Sequence, residues 1–267
     1  MEHKDEALRL DMKTDCDVVA RQATWAGILP GMRVADIGCG SGKTTSCLFE
    51  LVGRTGECIG VDASAERVAH ATATYASEGL VYVQKNILEP LDDLGQFDFI
   101  WVRFVLEYFR SRSFDIVSNI SKILKPGGIL CLIDLDYNCL SHFGMPDRLE
   151  QTFASLMKDL EEKADFDPYV GRKLFSYFYD LGFKDINVNV SSHHLIFNEL
   201  KDVDKYNWEK KVEIATKKIN YQFENYPGGY EEFEHEFKTF FEDPRRFTYT
   251  PIISCRGRKP SISDGAT

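Results

Sequence analysis

Apolar positions along this chain follow two periods in turn. Short runs such as "RVADIG", "ECIGVD", "LVYVQKN" and "FDFIWVRF" read as strands, being rich in β-branched and aromatic residues and bounded by glycine, asparagine or acidic residues. Between them, apolar residues recur at helical spacing over residues 43 to 52, closed by Gly53, and over residues 65 to 77 and 114 to 124. The last of these helices is expected to stop at "KPGG", where proline and glycines force a turn. "ILCLIDLD" is apolar on both faces, as a parallel strand covered by helices on both sides must be. Residues 5 to 29 read as a helix, with Leu8, Met12, Val18, Val19 and Trp25 among polar neighbours and an end at Pro30-Gly31. Alternation of strand and helix predicts an α/β fold built on a doubly wound, mostly parallel sheet.

The rhythm changes after Asp136. Leu149, Phe153, Leu156, Met157 and Leu160 predict one helix, and "GRKLFSYFYDLGF" another, closed at Gly182. "DINVNV" alternates and predicts a half-buried strand near a sheet edge. Two amphipathic helices follow from about Glu199 to Asp243, broken at "YPGGY"; the stripe Phe233, Phe237, Phe240 and Phe241 is expected to be core. "RFTYTPIISCRGRKP" supplies a last strand, and "SISDGAT" a polar tail expected to be mobile. The expected organisation is an N-terminal helical cap (1–30), a central core (31–137), a helical insertion (138–170), a helix and sixth strand (171–197), a second helical insertion forming a lid (198–245), a final strand (246–258) and the tail (259–267).

Composition narrows the function. The 267 residues carry a net charge of −10, which argues against a broad nucleic-acid surface, because neutralising phosphates takes clustered Lys and Arg. The seven cysteines show no CxxC pair and no cluster with histidine at zinc spacing, so the set reads as reduced thiols with no structural metal. "MEHKDEALRLDMKTD" lacks an apolar segment, and no run reaches membrane-spanning length. A cytoplasmic protein without nucleic-acid or membrane partners is the expectation.

The chemistry concentrates in "VADIGCGSGKTT". A phosphate loop needs GxxxxGK[ST]; Gly42, Lys43 and Thr44 supply its end, but Ile37 stands where the first glycine belongs. A dinucleotide fingerprint needs GxGxxG, and Lys43 stands where the third glycine belongs. What fits is acidic-x-G-x-G-x-G: Asp36, Gly38, Gly40 and Gly42. This resembles motif I of the class I S-adenosylmethionine (SAM)-dependent methyltransferases. Asp62 ends the second strand, where a carboxylate can accept both ribose hydroxyls, with Ala63 beside it. Asn86 stands where the family usually has aspartate; its carbonyl can accept from an adenine amino group while Ile87 covers the ring. "FDFIWVRFVLEYF" is similar to the family's fourth-strand segment, and "LKPGGILCLID" to its turn into strand five.

The resemblance implies a seven-stranded sheet with its last strand antiparallel, and helical insertions rising as a lid over the ligand crevice. Its cofactor is SAM, held by Asp36, Gly38, Cys39, Gly40, Gly42, Asp62, Ala63, Asn86 and Ile87, with Arg103 and Phe104 facing the sulfonium. For a general base the candidates are Glu107, Tyr108, Tyr137, His142 and Tyr169, near the expected mouth; each can equally be packing or solvated loop. His193 and His194 are expected farther away, and the Lys43-Thr44 pair is read as incidental. The tetrapeptide of DNA amino-methyltransferases is missing, and Arg103 stands where catechol-type enzymes place metal ligands. A small-molecule acceptor is therefore the first reading, methylated at O, N or C, and a protein acceptor the second. A non-catalytic SAM-fold binding protein and a P-loop-like ATPase are the alternatives.

Overall fold

The computed structural model describes residue 11, residues 14–261 and residue 264. Leu8 and Met12, two apolar positions of the expected N-terminal helix, lie outside the described residues. Helix α1 (Cys16–Ala26) starts where the Asp15 side chain accepts from the amides of Asp17 and Val18, and stops at Gly27, whose φ of 101° only glycine adopts without strain. There follow β1 (Arg33–Ile37), α2 (Lys43–Val52), β2 (Glu57–Asp62), α3 (Ala65–Tyr75), β3 (Leu80–Gln84), β4 (Phe97–Arg103), α4 (Ser113–Lys122) and β5 (Leu124–Leu135). The second half contributes β6 (His142–Phe143), α5 (Asp147–Lys163), α6 (Leu174–Asp180), β7 (Lys184–Phe197), α7 (Asp202–Lys218), α8 (Gly229–Glu242) and β8 (Phe247–Arg258).

The sheet runs β3-β2-β1-β4-β5-β8, with β7 on the far edge of β8. β1 to β5 are mutually parallel, and β8 is antiparallel to both its neighbours. Strand order reverses between β1 and β4, which opens a crevice beyond their C-terminal ends. Side chains alternate between two cores as the pleat requires. Ile100, Val102, Leu130 and Leu132 join the layer under α4 and α6, while Phe99, Trp101, Cys131 and Ile133 join the layer under α1 and α2.

Three details depart from the sequence expectation. The described residues hold eight strands, because the two-residue β6 pairs with Phe247 and Thr248 of β8 just past the point where β5 ends opposite Ile252. "KPGG" does not separate helix from strand. It lies within β5, where Gly127 (φ 79°) and a register slip opposite Phe97 and Phe99 turn the expected loop into a bulge. β7 continues well past "DINVNV", since β8 offers it a partner as far as the Phe197–Phe247 pair. Much of that strand is exposed rather than half-buried, Val190 to 64%.

Residues after β5 build a second apolar body. Phe153 and Leu156 of α5, Trp208 and Val212 of α7, and Phe233, Phe237 and Phe241 of α8 share one buried cluster. The phenylalanine stripe is core, as its helical spacing suggested.

The reading of seven reduced thiols is corrected. Cys16 and Cys47 form a disulfide between α1 and α2, while Cys39, Cys58, Cys131, Cys139 and Cys255 are free and buried. Packing of α1 across α2 brings the bridged Cα atoms within 5.5 Å, a meeting that spacing along the chain does not reveal. The bridge closes a loop across a sequence separation of 31. Replacing Cys47 with alanine is expected to lower stability by about 2–4 kcal/mol relative to the oxidised protein. A denaturant titration with and without dithiothreitol checks this: wild type should lose a similar amount on reduction, and the variant nothing.

Candidate active site

The glycine loop between β1 and α2 is wired to the protein rather than opened toward an anion. Amides of Gly38 and Cys39 both donate to the Val61 carbonyl, at 2.7 and 3.0 Å, and the Gly42 amide donates to the Cys39 carbonyl. The Gly40 amide donates to Asp62 Oδ2 at 3.0 Å. A phosphate cradle needs those amides free. Lys43, the residue that would reach a terminal phosphate, instead donates from Nζ to the Asp11 carbonyl at 2.8 Å. These four amides and the lysine are therefore not aimed at a phosphate, and the loop lies between two carboxylates, those of Asp36 and Asp62.

Asp36 is buried at the end of β1 and accepts from Thr45 Oγ1 at 2.7 Å. Burial pushes its pKa up to about 7, against the Thr45 hydrogen bond and the Arg103 charge, which pull it down. Asp62 Oδ1 accepts from the Ser64 amide at 2.9 Å and from Arg67 Nε and Nη2 at 3.1 and 2.9 Å. Its Oδ2 holds only the Gly40 amide among these partners, which leaves that oxygen a lone pair for a ribose hydroxyl. Next to it a cavity of about 300 Å3 is lined by Ala63, Gln84, Lys85, Asn86, Glu89 and Pro90. Asn86 Oδ1 accepts from the Leu88 amide at 3.1 Å, one of its two lone pairs, and Ile87 is buried beside it. These groups suit the ribose and adenine of an adenosyl ligand.

On the other side of the crevice, Arg103 ends β4 and lays its guanidinium over the Phe104 ring at 4.2 Å. Burial pulls its pKa down to about 10, opposed by Asp36 and Asp134. Phe104 takes a left-handed φ of 59°, which aims its ring back across the strand end. His193, expected far from this point, packs against it at a tilt of 54° with centroids 4.7 Å apart, because β7 runs farther than the hexapeptide indicated.

The candidate bases separate. Glu107 is buried and accepts from Asn138 Nδ2 at 2.6 Å. Beside it Asp134 takes the amides of Leu106, Glu107 and Leu135; burial, then the Glu107 charge, push its carboxyl well above the usual range. Lys211 of α7 completes the network by donating to Asn138 Oδ1 at 2.7 Å. Tyr108 is 52% exposed and leans on Phe166, away from that network. Tyr137, His142 and Tyr169 come together, all lining a second cavity of about 210 Å3. His142 has both ring nitrogens committed, to Thr248 Oγ1 at 2.8 Å and the Cys139 carbonyl at 3.1 Å. Burial takes its pKa down to about 4, so it is a neutral ring.

Residues 35–132 match a family model described as a methyltransferase domain. They form a methyltransferase domain. The chain is 32% identical over 140 residues to a ubiquinone biosynthesis O-methyltransferase of Rhodopseudomonas palustris (strain BisB18), covering 51% of this chain and 53% of that protein. It is 32% identical over 109 residues to a demethylmenaquinone methyltransferase of Staphylococcus aureus (strain MRSA252), covering 40% and 44%. The chain thus spans about half the length of the curated relatives it matches. Among solved structures, phosphoethanolamine N-methyltransferase 2 of Haemonchus contortus, in complex with SAM, superposes with a TM-score of 0.54 over 92% of this chain and 53% of that one. At 17% identity this likeness speaks for the fold.

Two supports of the methyltransferase loop went unnoticed in the sequence. Thr45 faces Asp36 from the first turns of α2, and a buried polar residue on that apolar face was the available signal. Tyr82 donates its hydroxyl to the Gly42 carbonyl at 2.8 Å, from a β3 position that reads only as apolar.

Proposed function

We propose that this chain transfers the methyl group of SAM to a small-molecule acceptor. The observation that carries the reading is the wiring of the glycine loop, which spends the amides of Gly38, Cys39, Gly40 and Gly42 on protein acceptors while two carboxylates flank it. Such a loop suits a cationic sulfonium and ammonium ligand and disfavours a polyphosphate. The turn of Lys43 toward Asp11 weighs against the ATPase reading in the same way.

SAM supplies a methyl carbon already activated by positive sulfur, so the protein's work is placement and exclusion of water. Asp62 Oδ2 takes the ribose, Ala63, Asn86 and Ile87 bound the adenine, and Asp36 stands behind the loop on the methionine side. Arg103 and Phe104 close the sulfonium side. The relatives named for quinone biosynthesis support a small-molecule acceptor, and the net charge of −10 supports one other than nucleic acid. No helix among the described residues is long and apolar enough to cross a membrane.

Calorimetry with SAM and with ATP-magnesium tests the cofactor; S-adenosylhomocysteine release against a metabolite pool tests turnover. SAM binding with ATP ignored, followed by S-adenosylhomocysteine release, is expected. ATP binding without SAM binding sinks the reading. SAM binding with no release from any pool leaves a non-catalytic binder instead.

A further inference from the structure

The cavity of about 210 Å3 beyond the C-terminal end of β5 has walls of one chemical kind. Tyr137 and Tyr169 meet edge to face, with centroids 5.4 Å apart and planes at 89°. His142 and Phe153 form a second such pair at 5.9 Å, and Met145 lines the cavity with them. His142 adds ring surface without charge, since burial holds the ring neutral, and both its nitrogens are already engaged.

Of the side chains that line the cavity Glu150 is the one acid, with no lysine or arginine among them; Lys211, whose charge reaches His142, is turned onto Asn138 Oδ1. Arg172 stacks over Tyr137 and Tyr169 at 4.5 and 5.0 Å, but its guanidinium is neutralised by a two-point pair with Asp136 at 2.8 and 3.0 Å. Glu150, in the first turn of α5, lines the cavity and is exposed. Its carboxylate makes no hydrogen bond or ion pair with any described residue. Aromatic faces, a thioether and one carboxylate without a counter-charge suit a small organic cation with an apolar body, and oppose a carboxylate or phosphate.

We infer that this cavity is the acceptor site and that it takes a small amine, drawn in as its ammonium by Glu150 and the aromatic walls. The inference rests on the methyl-transfer reading for its role as acceptor, while the binding chemistry stands on the cavity alone. For transfer, the ammonium gives one proton to solvent. The nitrogen lone pair then forms the N–C bond as the C–S bond breaks, its electron pair staying on sulfur, and the product leaves as the N-methylammonium.

The test titrates the full chain, with S-adenosylhomocysteine present, against benzylamine, benzyl alcohol and benzoate at equal ionic strength. Benzylamine is expected to bind at least about tenfold tighter than benzyl alcohol, with benzoate weakest. Glu150→Gln, a surface change that keeps the side chain's shape, should remove that advantage, and Phe153 resonances should shift on benzylamine addition. Benzoate binding as well as benzylamine, or an unchanged benzylamine affinity in Glu150→Gln, overturns the inference. SAM affinity is measured on the same samples. If SAM fails to bind while benzylamine still binds through Glu150, the methyl-transfer reading falls and the cation site stands.

Discussion

Asp62→Ala is expected to weaken SAM binding by about a hundredfold or more, roughly 3 kcal/mol on the scale of hydrogen bonds to charged groups. The size follows from what the carboxylate does at once. Its Oδ2 anchors the Gly40 amide and offers the lone pair for ribose, while Oδ1 holds the Ser64 amide and the Arg67 guanidinium. Alanine removes the ribose acceptor, releases the loop, and takes away the carboxylate that Arg67 grips. Asp62→Asn keeps an acceptor at Oδ1 or Oδ2 and loses the charge, so a smaller loss of about tenfold is expected. Calorimetric titration of SAM into the three proteins, each first shown folded by circular dichroism, measures the series. Equal affinity across it would remove Asp62 from the ribose.

Gly42→Ala is expected to be the most damaging small substitution in the loop, at about 3 kcal/mol or more of stability. Gly42 has a φ of 90°, and an added Cβ would stand 2.6 Å from Ala71 Cβ and 2.8 Å from the Tyr82 ring. Left-handed strain contributes about 1–2 kcal/mol and overpacking about 1–3 kcal/mol more. The clash also pushes on the Tyr82 ring, whose hydroxyl holds the Gly42 carbonyl. Gly182→Ala, just past the end of α6, is the control, with φ 74° and nothing within 4 Å of the added carbon. It bears left-handed backbone strain alone. Thermal melts of both should show a drop for Gly42→Ala at least twice that for Gly182→Ala; similar drops would mean that the α2–α3–β3 contact is slack.

The centre of the sheet was legible because β1, β2 and β4 are short and buried along almost their whole length. The glycine loop was legible because counting decides it, and the failure of two phosphate motifs at Ile37 and Lys43 agrees with a loop whose amides are already used. β7 was read short because Ser191, Ser192, His193 and His194 interrupt its alternation, and its continuation depends on a partner strand distant in sequence. The same distance hid the Cys16–Cys47 bridge, the Tyr82 support and the meeting of Tyr137, His142 and Tyr169 around one cavity. Lys43 was read as incidental to cofactor binding; the structure gives it a different task, fastening the chain at Asp11 across α2.

Phe197 and Phe247 are partners in the last rung of the β7–β8 ladder, with their rings stacked, and the chain between them makes α7 and α8. The excursion thus leaves and returns at neighbouring points, like a cassette set into a hairpin. Lengthening, shortening or exchanging such a segment leaves the ladder closed and adds little loop entropy. Its influence on the crevice passes through a few contacts, such as Lys211 on Asn138, rather than through the sheet that carries Asp36 and Asp62. In a lineage of such proteins, the sheet and the helical cassette that packs behind His142 are free to diverge at different speeds.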